Sequence, residues 1–129
     1  MIYLFAGDDT KNKRLHYEKF LKSLPAQAGT SVGIETLFIN KNNFNKMELE
    51  SLYSGAGLFS PRTRVVLESI LEYEDHRDFV LEKLSLMGQS ASDFIFLEGK
   101  LNKPIVDAFK KHKGGLNIFE LPKAKKEKF

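Results

Sequence analysis

The sequence predicts an α/β domain, a three-layer fold around a five-stranded parallel sheet. Short apolar runs of strand length alternate with segments whose apolar residues recur at helical spacing, and turn chemistry separates them. The order is β-α-β-α-β-α-β-α-β, and parallel neighbours need helical crossovers that cover both faces of a sheet. The chain has 129 residues and 42% hydrophobic residues, which suits one domain with its own core.

Residues 2–6, IYLFA, read as a buried strand ending at Gly7-Asp8-Asp9. A helix is expected from about Thr10, because Tyr17, Phe20, Leu21 and Leu24 fall on one face of a 3.6-residue period, with Pro25 just beyond. AQAGTSVG is a loop and Glu35 to Ile39 a second strand. Asn40 to Asn43 form a turn expected to supply a helix cap, and Phe44, Met47 and Leu49 to Tyr53 suggest a short helix. Arg64 to Glu68, RVVLE, is a β-branched third strand. Phe79, Val80, Leu84 and Met87 predict a helix over 75–87, with Gly88 as its stop. Asp93 to Leu97, DFIFL, is the fourth strand. Asn102 and Pro104 are start signals for a helix with Ile105, Val106 and Phe109 inward, Gly114-Gly115 its end, and Leu116 to Leu121 the last strand.

Composition narrows the function. The absence of cysteine excludes a disulfide scaffold, a thiolate zinc site and a cysteine nucleophile, and fits a reducing compartment. No apolar run approaches the roughly 20 residues of a membrane helix. MIYLFAGDD lacks a basic signal-peptide start, so the expected location is the cytoplasm, with no membrane partner. Lys and Arg number 20 against 17 Asp and Glu. Four lysines and one glutamate sit in residues 123–129, a basic linker or tail, so residues 1–122, the domain proper, balance to zero. A domain gripping nucleic acid through phosphates is expected to carry a basic stripe on its body. One such reading survives, a single-strand-binding module using Lys100, Lys103, Lys110, Lys111, Lys113 and the tail lysines, against the plainer reading of a solvated helix face.

Chemistry is hard to place. The turn after the first strand has Gly7 but not the Gly-Lys-Ser/Thr close of a phosphate loop, and it sets Asp8 and Asp9 where phosphate would lie. Asp9 or Thr10 reads as a helix cap. No nucleotide, metal or other cofactor is expected. An acidic pair after strand 1 also resembles phosphoacceptor receiver domains, but Glu68 stands where the acceptor aspartate would be, and Pro122-Lys123 reverses the expected Lys-Pro order. His16, His76 and His112 are far apart and read as surface residues, so no catalytic residues emerge.

The most distinctive stretch is SGAGLFSPRTRVVLE, residues 54–68. Leu58 and Phe59 stand side by side between turn signals, either as folded-over core or as an apolar anchor for a partner. With IYLFAGDDT before it and DFIFLEGKLNKPIVDAFKK after it, the chain resembles the N-terminal domain of the delta subunit of the bacterial DNA polymerase III clamp loader. The resemblance covers essentially the whole chain but only the first of that family's three domains. The charged run TKNKRLHYE is more polar than the family pattern. What the resemblance implies is an AAA+ (RecA-like P-loop NTPase) fold with a degenerate phosphate loop. Such a domain binds and opens the ring-shaped beta sliding clamp during DNA replication. Leu58 and Phe59 would enter the clamp's hydrophobic pocket, with Leu52, Tyr53, Arg62 and Arg64 as weaker candidates for supporting contacts. Its other partners would be the gamma/tau and delta prime subunits, joined through a collar domain beyond residue 129, with DNA contacted indirectly. ATP would act on those other subunits of the polymerase holoenzyme.

Overall fold

The computed structural model describes residues 1–23, 35–53, 63–90, 92–112 and 114–118. They form β1 (Ile2–Ala6), α1 (Thr10–Ser23), β2 (Glu35–Ile39), α2 (Lys46–Tyr53), β3 (Thr63–Glu68), α3 (Glu74–Gln89), β4 (Asp93–Leu97), α4 (Lys103–Lys110) and β5 (Gly114–Ile118). The strands make one sheet in the order β2-β3-β4-β1-β5, and every pairing is parallel.

Alternation along the strands builds two cores. Ile39, Leu67, Phe96 and Leu4 lie in one transverse row across four strands, all buried. They face Leu49 and Tyr53 of α2, Val80, Leu84 and Met87 of α3, and Ile105 and Phe109 of α4. The opposite face, with Phe5, Val66, Ile95 and Leu97, packs under Tyr17, Phe20 and Leu21 of α1. The Phe5 ring meets Phe20 at 5.3 Å and Tyr17 at 6.0 Å, in the tilted and edge-on arrangements aromatic rings prefer. Three helices on one face and α1 on the other are what covers this parallel sheet among the described residues.

Local signals explain most helix ends. Asp9 caps α1, its Oδ1 accepting the Asn12 N–H at 3.3 Å. Asn102 caps α4 by accepting the Ile105 N–H at 3.3 Å, with Pro104 in the first turn. Glu74 and Asp75 open α3, where negative charge favours the helix dipole.

Several expectations are corrected. The Asn40–Asn43 turn is stitched by its own side chains, but the cap of α2 is Asn45, which accepts the Glu48 N–H at 2.9 Å. Asn45 and Glu48 have capping-box spacing, so Phe44 falls outside the helix and packs on the core from the position before the cap. Met47 lies in α2, as expected, and is 82% exposed. Gly114 and Gly115 do not end α4; they begin β5, in register with Ile2 and Tyr3, so the strand starts two residues early. Leu24, Pro25 and residues 119–121 lie outside the described residues.

Gly88 is likewise no stop, because α3 continues to Gln89 and its cap is Ser90. A Cβ at Gly88 would meet the His112 ring and the Ile2 side chain at 3.7 Å, an ordinary contact distance. Gly88→Ala is therefore expected to stabilise the fold by about 0.5–1 kcal/mol through helix propensity and a less flexible unfolded chain. Urea unfolding measures this, and a lower midpoint would show that the helix needs the glycine there.

Candidate functional site

In open α/β sheets, ligands bind beyond the carboxyl ends of strands, where neighbouring strands send their helices to opposite faces. Here that switch lies between β1, followed by α1, and β4, followed by α4 on the other face. The chain closes this crevice with its own groups. The Gly7 N–H donates to the Gly99 carbonyl at 2.9 Å, and the Glu98 N–H to the Phe5 carbonyl at 2.8 Å. Gly7 has φ 122°, a conformation that favours glycine. The Lys13 ammonium then donates to the Gly7 carbonyl at 3.1 Å and to the Glu98 carbonyl. Lys13 is only 8% exposed, and burial lowers its pKa.

Glu98 is the second unexpected residue. Its side chain, 1% exposed, reaches the turn after β3, where Oε2 accepts the Ile70 N–H at 3.0 Å and Oε1 the Leu71 N–H at 3.2 Å. Ser69 takes φ 55° and donates its N–H to the Leu97 carbonyl at 3.0 Å. Burial pushes the Glu98 carboxyl up to about 8, against the opposing pull of those two N–H groups and of Lys13. Beside it opens a cleft of about 190 Å³ that includes Thr10, Arg14, Glu68 and Glu72 in its lining. Arg14 and Glu68 meet across it at 3.5 Å, both half-exposed, a pairing that contributes little.

Sequence reasoning overlooks Lys13, although two signals exist. Lys13 precedes Tyr17 by four residues, within the buried stripe of α1. Its spacing from Gly7 also matches the first glycine and the lysine of a phosphate loop, with Asn12 and Arg14 replacing the second glycine and the hydroxyl residue. Here the helix has already begun at Thr10, and the lysine is turned onto backbone carbonyls.

The strand order also separates this chain from receiver domains, whose order is 2-1-3-4-5, since β1 here lies between β4 and β5. No cluster of three or more His, Asp or Glu side chains able to hold a metal ion occurs among the described residues. His16 is exposed, as expected, but His76 is not a free surface residue. Its ring stacks on Phe44 at 4.0 Å and tilts against Tyr73 at 5.8 Å.

Before β3, the described chain stops at Tyr53, the last residue of α2, and resumes at Thr63, the first residue of the strand. Leu58, Phe59 and Arg62 lie outside the described residues, but the two points that hold the segment are defined. Tyr53 is 4% exposed and sets its ring edge-on to Phe94 at 6.3 Å, so it is a core residue rather than a surface contact. Leu52 is half-buried against the same core. On the far side, the Thr63 N–H donates to Ser92 Oγ at 3.1 Å. Arg64 is half-buried between Thr36 and Asp93 in the sheet register, and its Nε makes no hydrogen bond among the described residues.

The lysines are partly gathered. Lys100, Lys103 and Lys110 line a hollow of about 260 Å³ beyond β1, together with Asp107. Asp107 meets Lys103 at 2.9 Å and Lys110 at 3.9 Å, and the Lys103 hydrogen bond lowers its pKa. Lys113 and the tail lysines lie outside the described residues. No helix among the described residues is long and apolar enough to cross a membrane.

This architecture is a clamp-loader-like fold. The chain is similar to the DNA clamp loader delta protein YqeN of Bacillus subtilis, with a TM-score of 0.58 and 14% identity over 97% of this chain and 40% of that one. A DNA polymerase III gamma subunit-related protein of Thermotoga maritima matches with a TM-score of 0.49 and 12% identity, over 98% of this chain and 43% of that one. The chain thus spans less than half the length of either protein. No protein-family model matches it, and neither does any curated protein sequence.

Proposed function

We propose that this domain belongs to a clamp-loader subunit of the delta type and acts in DNA replication by binding the beta sliding clamp and favouring its open form. The observation that carries this reading is the fold-level likeness, over 97% of the chain, to a clamp loader delta protein. The strand order suits the AAA+ arrangement, and the Lys13 and Gly7 contacts fill the crevice where such a fold would hold a nucleotide. In this reading Leu58 and Phe59 are the anchor, carried on a segment whose ends are fixed by Tyr53 in the core and by Thr63 in the sheet. Arg62, Arg64 and Leu52 support it from the rim.

The domain performs no chemistry of its own. It holds a distorted clamp edge more tightly than a closed one, and that difference in affinity shifts the ring toward opening. ATP acts on partner subunits of the gamma/tau and delta prime kind, which expose or cover this surface in the cytoplasm. The domain, added without nucleotide to clamps closed around nicked circular DNA, is expected to speed their release. An unchanged release rate at saturating domain would overturn the clamp-opening role.

A further inference from the structure

The balanced charge of residues 1–122 hides a separation between the two faces of the sheet. α1, alone on its face among the described residues, carries Lys11, Lys13, Arg14, Lys19 and Lys22 against Glu18. α2 and α3, on the other face, carry more carboxylates than cations. Lys13 is turned inward and Arg14 meets Glu68. Lys11, Leu15, Lys19 and Lys22 recur at i, i+4, i+8 and i+11, which sets them in one stripe along the outer side of the helix. All of them are exposed, Leu15 at 49%. The stripe's lysines make no ion pair among the described residues. By contrast, Arg77 and Lys83 of α3 and Lys103 and Lys110 of α4 each meet a carboxylate of their own helix. Beside the stripe, a hollow of about 300 Å³ is lined by Phe5, His16, Lys19, Phe20 and Ser23, with no carboxylate. Phe20 is half-buried there, its ring 4.7 Å from that of Tyr3. We propose that the outer side of α1 and this hollow form a docking surface for a peptide segment of a partner protein that carries both carboxylates and apolar side chains.

Complementarity of charge and of apolar surface selects this occupant. Carboxylates of the segment meet Lys11, Lys19 and Lys22, while its apolar side chains pack on Leu15 and over Phe20 in the hollow. A nucleic-acid strand would meet the same lysines, but Leu15 in their midst adds nothing to a phosphate backbone, and Glu18 on the flank opposes one. The surface lies on the face opposite α2, so the inference stands apart from the clamp-binding reading.

Fluorescence anisotropy of the whole chain with labelled probes tests this. One probe is a peptide that alternates Glu with Phe and Leu, the second is the same peptide with Ala for Phe and Leu, and the third is a single-stranded DNA of equal charge. The first peptide is expected to bind saturably at low salt and more weakly as salt is raised. The combined Lys11→Glu, Lys19→Glu and Lys22→Glu variant should weaken it at least about tenfold, because each reversal turns an attraction into a repulsion. The alanine peptide should bind more weakly than the first. No saturable binding of the first peptide, or unchanged binding to the variant, would overturn the docking surface. Equal binding of the alanine peptide would overturn it too, by reducing the contact to charge alone. Tighter binding of the DNA through the same lysines would overturn it in favour of a nucleic-acid site. Should the variant fail to fold, amide shift changes in the unaltered chain decide the matter. Changes centred on Lys11, Leu15, Lys19 and Lys22 support the surface, and changes centred elsewhere overturn it.

Discussion

Phe59→Ala is expected to weaken binding to the cognate sliding clamp by about 30- to 1,000-fold, or roughly 2–4 kcal/mol, the range for a central apolar anchor. A buried aromatic anchor supplies much contact area while losing little rotamer freedom, so its truncation removes more affinity than a rim residue does. Arg62→Ala and Arg64→Ala should cost less, since rim charges act chiefly on association rate and salt dependence. Calorimetry at fixed salt separates these classes. A Phe59→Ala affinity equal to that of the unaltered domain would assign Leu58 and Phe59 to the core instead.

The second large effect is on stability. Glu98→Leu leaves the Ile70 and Leu71 N–H groups buried without an acceptor and removes the carboxyl that faces Lys13. Buried donors stranded in this way cost about 1–3 kcal/mol each, so the domain should lose about 3–5 kcal/mol. Glu98→Gln keeps one acceptor oxygen and should lose much less. Urea unfolding of both variants measures the difference, and equal losses would show that side-chain volume, not hydrogen bonding, is what Glu98 supplies.

The framework was legible because strands and helices carry their periodicities openly. DFIFL coincides with β4, and RVVLE is one residue short of β3, because runs of apolar and β-branched residues bounded by polar ones permit few other readings. The Asn102 and Pro104 start of α4 was equally plain. Glycine misled twice. Gly88 and Gly114 both read as stops, yet one sits where α3 passes close to β1, and the other lies in a strand whose partner's register decides its start.

The crevice was the least legible part. Lys13 and Glu98 are 85 residues apart, and each reads alone as a surface charge at the edge of an element. Only the strand order, which sets β1 beside β4, brings them together. Likewise Tyr53, an apparent contact residue beside the Leu-Phe segment, turns inward because Phe94 lies beneath it in the sheet. Sequence periodicity assigns faces within an element, whereas the pairing of distant strands decides which faces meet.

The most direct measurement of the central claim is a calorimetric titration of the unaltered domain into the cognate beta clamp, without nucleotide and again with saturating ATP and magnesium. The account predicts a saturable complex with the same dissociation constant in both conditions, because Lys13 and Gly7 already occupy the crevice at the carboxyl ends of β1 and β4, whereas the proposed anchor belongs to the segment that precedes β3. No binding in either condition, or binding that appears only with ATP, would contradict it.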